Sequence, residues 1–288
     1  ILDRLPPRMR IREGASLELP HILVLIDDPE DRVFKAVEGA CEGLPILYDF
    51  DLMLDSGHVV GRCINDQQLE DGIIQSLRHL ANPDVFFPKY NIARDYGVLL
   101  FAMGDGNHSL ATAKQIWEKL KPTVGLNHPA RYALVEIENI HDQGLEFEPI
   151  HRVAFGFKLP VKDSLYPYFD GRLSFQQVGN KDEMKAIVDE QCGPDHLFGL
   201  VTTGDFHVGR VASPSTNLPV GSLEPVLVSW KKDDGIQQLD YVHGFETVCE
   251  LGAEVGNAGF YLPAMKKEDL FKTVILDGAL PRKTFSMG

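Results

Sequence analysis

The feature that most constrains this chain is an apolar run that ends in two glycines and passes directly into helical spacing. Residues 98–103 (VLLFAM) are the longest apolar stretch, and Gly104-Asp105-Gly106-Asn107-His108 follows at once. Leu110, Ala113, Trp117 and Leu120 then recur at intervals of three, four and three. Six apolar residues suffice for a buried strand and fall far short of the roughly 18 that span a bilayer. The spacing after the glycines gives a helix one apolar face. Strand, tight turn and helix in that order make an α/β unit, and Pro122 is expected to stop its helix near Lys121.

Shorter runs of the same kind surround it. Residues 21–26 (HILVLI) read as a buried strand, closed by Asp27-Asp28-Pro29, which opens a helix carrying Phe34, Val37 and Cys41. Residues 44–50 and 58–64 read as two strands joined around Asp55-Ser56-Gly57. Asn65 or Asp66 can cap a helix whose face is Leu69, Ile73, Leu77 and Leu80, with Asn82-Pro83-Asp84 as its breaker. Residues 96–103 are expected to be a central strand covered on both faces, with further strands at 131–137 and 145–155. Beyond about residue 156 turns become denser. Two helices are expected there: one with Asn180 as cap and Glu183 three residues on, and one over residues 267–276 that stops at Gly278. The expected fold is α/β to α+β: a mixed sheet with flanking helices over residues 1–155, and an α+β region over residues 156–288 packed on it.

Net charge is −14. An acidic surface repels phosphate backbones, and no basic stripe with interleaved aromatics occurs, so the sequence argues against a nucleic-acid partner. Nothing is apolar enough for a membrane span. Cys41, Cys63, Cys192 and Cys249 are far apart in sequence, with no CxxC pair, which suits free thiols in a reducing cytoplasm. The chain starts at Ile1, in mid-phrase, and an N-terminal portion is expected to be absent. Oligomeric state is not legible.

Three segments could carry chemistry. In the first, glycines permit positive φ and close backbone approach, and the amides of a first helical turn point at an anion. Its parts are Gly104, Gly106 and the amides from Asn107 through Ser109 to Leu110. Asp105 would bind a metal, Mg²⁺ for example, or act as a base, and His108 would donate to a phosphate or carry a proton. The motif is neither GxGxxG nor a Walker loop, and the plain alternative is a tight turn with Asp105 or Asn107 as an ordinary cap. The second segment is Glu148-Pro149-Ile150-His151-Arg152. His151 shares strand parity with the apolar Leu145, Phe147, Val153 and Phe155, whereas Arg152 shares it with Glu146 and Glu148, unless Pro149 makes a bulge. A core histidine needs a partner, either a ligand or a backbone group. Arg152 would be a phosphate clamp or half of a solvated salt bridge. The third segment, Pro281-Arg282-Lys283-Thr284-Phe285-Ser286, offers Lys283 beside hydroxyls as a phosphate contact, or is a polar tail. His58, His79, His128, His196 and His207 read as surface or structural, and neither HExxH nor GxSxG occurs.

Together, Gly104 to Ala113, the Gly144-Leu145 to Pro149-Ile150-His151-Arg152 strand and Leu280-Pro281-Arg282-Lys283-Thr284 resemble domain-of-unknown-function family 1015. That family shows a DGHHR-type loop, a "GL…P-x-HR" strand and a C-terminal "MPRKST" segment in this order. The resemblance covers residues from about 20 to 286 and brings no activity with it. The loop is in turn similar to the nucleotide-site loop of the ParB/sulfiredoxin-like superfamily, whose members bind nucleoside di- or triphosphates and, in one branch, phosphorylate free serine. Asn107 and Ser109 stand where the family loop carries His and Arg. That weighs more on catalysis than on binding, because the absent Arg is the side chain suited to grip phosphate bidentately.

The loop's likeness to that superfamily implies a phosphoryl-transfer enzyme taking ATP, ADP or another nucleotide with Mg²⁺ and acting on a small metabolite. Asp105, His108 and His151 would be catalytic; Gly104, Gly106, Asn107, Ser109, Arg152 and Lys283 would hold the nucleotide. One alternative is a non-catalytic module that binds a nucleotide or small anion. Another is a metal-dependent hydrolase using Asp105, His108 and His151.

Overall fold

The structure is a computed structural model that describes residues 5–19, 21–158, 160–191 and 193–287. The opening residues 1–4 and Cys192 lie outside the described residues. The chain divides into two compact units, Ile1–Asp142 and Gln143–Gly288. The strand bearing His151 falls in the second of these units. The fold is of a general α+β class with several sheets.

In the first unit the order is α1 (Leu5–Arg12), β1 (Leu23–Ile26), α2 (Arg32–Glu38), β2 (Ile46–Asp51), β3 (His58–Arg62), α3 (Gln67–Leu80), α4 (Pro83–Tyr90), β4 (Ala102–Asp105), α5 (Asn107–Val124) and β5 (Glu136–Asn139). Its three-stranded sheet has the order β4-β1-β5, with β4 antiparallel and β5 parallel to β1. All four residues of β1 are buried, so the 21–26 run supplies the centre. The 96–103 run does not. A 3-10 turn takes Arg94–Tyr96, Gly97 is left-handed, Val98 and Phe101 are exposed, and only Ala102–Asp105 joins the sheet, at its edge. The strand expected at 131–137 likewise starts later, because Pro129–Arg131 form a 3-10 turn capped by His128 Nδ1.

Other expectations hold. Asp66 caps α3 by accepting the Gln68 and Leu69 amides, and β2 pairs antiparallel with β3. Asn82-Pro83 does end α3, but it also starts α4: the Asn82 side chain accepts the Asp84 amide and proline occupies the first turn. Pro122 does not stop α5, which runs to Val124 and ends at Gly125 with φ 75°. A proline in a last turn forfeits little beyond its own missing hydrogen bond.

The second unit contains β6 (Phe147–Pro149), β7 (His151–Phe155), α6 (Val161–Leu165), β8 (Leu173–Val178), α7 (Lys181–Asp189), β9 (His196–Thr202), β10 (Asp205–Val211), α8 (Pro219–Lys232), β11 (Gln238–Val242), α9 (Phe245–Ala253), β12 (Ala258–Tyr261), α10 (Lys267–Asp277) and β13 (Phe285–Met287). Six strands form an antiparallel sheet of order β11-β7-β12-β9-β10-β8. Val153, Val201, Val208 and Tyr261 pack with Met184 and Val188 of α7 and Val248 and Cys249 of α9. Trp230 of α8 packs on Phe260, which neighbours Phe198. The Asn180 cap and the Gly278 stop occur as expected. Helix α8 was hidden by Pro219, Gly221 and Pro225.

Candidate functional site

The glycine turn is built by necessity at one position. Gly106 has φ 80°, and a Cβ there would lie 2.5 Å from the His21 carbonyl oxygen and 2.7 Å from Ile22 Cα. Only glycine lets β4 turn into α5 while pressed against the chain that leads into β1. Gly104 serves differently from the expectation of positive φ. It lies inside β4, where a Cβ would stand 3.0 Å from Leu23 Cδ2, so its missing side chain permits close packing. Asp105 is exposed and one carboxylate oxygen accepts the Gly106 amide at 2.6 Å. Asn107 is exposed; His108 and Ser109 are half-buried.

No side chain caps α5, and Gly106 is its N-cap residue. The positive end of the α5 dipole lies at its first turn, residues 107–109. A cation from α1 reaches this turn. Arg12 Nη1 donates to the Ser109 carbonyl at 2.8 Å, while Nε donates to Glu18 Oε1 at 3.1 Å and Nη2 to Glu18 Oε2. The Arg12 fork holds the Glu18 carboxyl below its ordinary range. A hollow of ≈ 320 Å³ lies here, between Ile11, Arg12, Ala15, Leu17 and Glu18 on one side and Ser109 on the other. Sequence reasoning passed over Arg12 because 97 positions separate it from Ser109.

The first unit holds another cluster that the sequence did not announce. Asp27, buried just past β1, accepts Tyr90 Oη at 2.5 Å, His141 Nε2 at 2.6 Å and Lys89 Nζ at 2.8 Å. It sits beyond the carboxyl ends of the parallel β1 and β5, whereas the glycine turn lies at their amino ends, where Leu23 faces Asp105. Asp28 beside it accepts the Val33 amide and pairs through its backbone with Asn139. The network ties β1, α4 and the segment after β5 together.

In the second unit the structure joins the second and third sequence segments. The expected 145–155 strand is broken at Ile150, and β6 pairs with β13 instead, stacking Phe147 on Phe285 at 4.3 Å. Arg152 is 0 % exposed. Its Nε donates to Glu224 Oε2 at 3.0 Å, Nη1 to the Ile150 carbonyl and Nη2 to the Arg282 carbonyl at 2.9 Å. Tyr241 Oη donates to the other Glu224 oxygen at 2.6 Å, and burial pushes that phenol up to about 12. Arg152 is therefore a buried strut with each of its three nitrogens bonded within the second unit, rather than half of a solvated salt bridge. Lys283 is exposed and lies 4.8 Å over the Tyr241 ring.

His151 points to the face opposite Arg152, as strand parity required. It stacks on Tyr261 at 4.6 Å, and its Nδ1 accepts the Leu262 amide at 3.2 Å. The backbone partner is thus an amide, which fixes Nδ1 as the unprotonated nitrogen. Burial pushes His151 down to about 4, and burial does the same to His196, whose Nδ1 meets Ser222 Oγ at 2.9 Å. Both are neutral when folded, while the unfolded chain protonates them near the usual 6.5. The unfolded state then binds more protons between those values, so stability is full above about 6.5 and declines as pH falls toward 4. Urea midpoints are expected to drop from pH 7 to pH 5, and His196→Gln is expected to flatten that drop. Equal midpoints in the native chain would contradict the neutral assignment.

Among the described residues no group of three His, Cys, Asp or Glu is formed that could hold a metal ion. No helix among the described residues is long and apolar enough to cross a membrane.

A family model described as "Protein of unknown function (DUF1015)" matches residues 1–240. No protein of curated function matches the chain. A conserved hypothetical protein from Pyrococcus furiosus is similar in structure at TM-score 0.41 and 15% identity, covering 66% of this chain and 70% of its own. A free serine kinase mutant in complex with AMP is similar at TM-score 0.44 and 11% identity, covering 95% of this chain and 91% of its own. The same kinase with ADP gives TM-score 0.44 and 12% identity, covering 95% and 92%. At such scores the likenesses carry no argument about activity. The match over 240 of the 288 residues does settle kinship: the chain belongs to the DUF1015 family of proteins of unknown function.

Proposed function

We propose that the turn at residues 104–109 binds the phosphates of a nucleotide, and that the protein is a phosphotransferase acting on a small metabolite. The observation that supports this reading is the amino end of α5, which Gly106 begins without a side-chain cap, with Arg12 donating to the Ser109 carbonyl at the rim of a hollow. Backbone amides of residues 107–109 would hold phosphate and Arg12 would neutralise it. Asp105 is exposed and has an oxygen beyond the one that takes the Gly106 amide, which fits a Mg²⁺ shared with phosphate oxygens. Bound Mg²⁺ would supply charge neutralisation for transfer. His108, in the first turn, is the proton carrier of the proposal. Phosphoryl transfer needs positioning and charge more than covalent chemistry, so these parts suffice. A ParB/sulfiredoxin-like core and a cytoplasmic location go with this reading. His151, Arg152 and Lys283 are assigned no part in it, since the first two are committed within their own unit and Lys283 rests on Tyr241.

One observation favours a binding module instead. The Arg12 fork is already filled by Glu18, so an incoming phosphate must displace a carboxylate. The two readings separate by turnover. With Mg²⁺ and a panel of ATP, ADP and GTP, the enzyme is expected to hydrolyse or transfer phosphate, and Arg12→Gln to weaken nucleotide binding about tenfold, near 1.4 kcal/mol. Saturable binding without turnover supports the module. Binding untouched by Arg12→Gln and Asp105→Asn sinks the site.

A further inference from the structure

The second unit carries a larger opening that owes nothing to the glycine turn. It lies at one end of the six-stranded sheet, where β12 gives way to Leu262 and β9 begins at His196, and has a volume of ≈ 800 Å³. That volume falls in the range of small-molecule sites. One wall is apolar: Leu218, Val220, Leu262 and Met265 line it, each under 9 % exposed.

The rest of the wall suits a negative group. Helix α8 opens onto the cavity through Leu218, Pro219 and Val220, and its N-cap residue, Leu218, has no side chain that can cap. Pro219 has no amide hydrogen and the Gly221 amide bonds the Leu218 carbonyl, leaving the Val220 amide as the first-turn donor of this 14-residue helix. Lys266 and Lys272 face the same space, and neither forms an ion pair among the described residues. The acids on the wall limit what can enter. Asp189 is committed to Tyr261 and Lys185, but Glu268 and Asp269 stay beside the lysines. Burial raises the Asp269 carboxyl while Lys266 and Lys272 pull it down, so the three sit within one electrostatic neighbourhood. An extended polyphosphate would meet those acids; one compact head would not.

We propose that this cavity is a second ligand site, for a small organic anion. A single carboxylate or phosphate head is held by Lys266, Lys272 and the first turn of α8, and an apolar body lies along Leu218, Val220, Leu262 and Met265. The ligand differs in class from the polyphosphate proposed for the glycine turn, so either site stands without the other. The neutral His196, tied to Ser222, and Asn217, whose Nδ2 donates to Thr273 Oγ1 at 2.6 Å, brace the mouth of the cavity.

Calorimetric titration of the full chain with benzoate, phenyl phosphate, inorganic phosphate and ADP tests it. Benzoate or phenyl phosphate is expected to bind saturably, and the tighter of the two identifies the head group. Inorganic phosphate, lacking the apolar body, is expected to bind at least about tenfold more weakly than phenyl phosphate. The double substitution Lys266→Gln with Lys272→Gln is expected to weaken the aromatic anion by about tenfold or more, and Ala264→Trp, which fills the opening, to abolish it. Arg12→Gln is expected to leave it unchanged. Absence of saturable heat for both aromatic anions up to about 10 mM overturns the proposal. So does binding that survives both second-unit variants, or binding that Arg12→Gln removes.

Discussion

Replacing Arg152 with methionine is expected to lower the unfolding free energy by about 3–5 kcal/mol, because Glu224 is then left charged and half-paired inside the second unit. The guanidinium has no exposed surface and spans three partners: the Glu224 carboxylate, the Ile150 carbonyl and the Arg282 carbonyl. Losing it removes the charge that offsets Glu224 and frees the Ile150 carbonyl at the break between β6 and β7 and the Arg282 carbonyl before β13. Glu224→Leu in the same chain is expected to restore much of the loss, since a buried pair contributes little net stability when both members are replaced by apolar side chains. Urea unfolding of the two single variants and the double variant measures this. Single variants within about 1 kcal/mol of the native chain would show that Arg152 is hydrated, and would return it to the list of phosphate contacts.

Gly106→Ala carries the second large effect. A left-handed backbone costs a residue with a Cβ about 1–2 kcal/mol. The contact with the His21 oxygen at 2.5 Å is with backbone, which cannot swing aside as a side chain would. The first unit is therefore expected to lose roughly 2–4 kcal/mol, with weaker nucleotide binding where it still folds, because α5 must shift from β1. Gly104→Ala meets only the Leu23 and Leu25 side chains at 3.0–3.2 Å, so it is expected to cost less. Equal and small losses at both positions would mean that the turn is not held as described.

These positions also show what was legible in the sequence. The Gly-Asp-Gly turn and its helix were readable because a positive φ and a period of 3.6 leave marks in neighbouring residues. Asp66, Asn180 and Gly278 were readable for the same local reason. Burial of Arg152 was not, because its partner Glu224 lies 72 positions away on a helix disguised by two prolines. The 96–103 run misled because apolar content alone does not reveal sheet position: Gly97 and the 3-10 turn before it delay the strand to residue 102. Strand parity did place His151 and Arg152 on opposite faces, but it could not show that both faces are covered. Arg12 was invisible as a site residue, since only folding brings α1 to the first turn of α5. The three segments that carry the family resemblance thus differ in nature. The first forms the glycine turn into α5, while the second and third are fastened to one another by β6, β13 and Arg152.

The most direct measurement is a backbone ¹H–¹⁵N titration of the full chain with ADP and Mg²⁺. Saturable shifts of the Asn107, His108 and Ser109 amides together with the Arg12 side chain are expected. Saturation that moves only residues of the second unit, or leaves 107–109 still while nucleotide binds, would contradict the proposed nucleotide site.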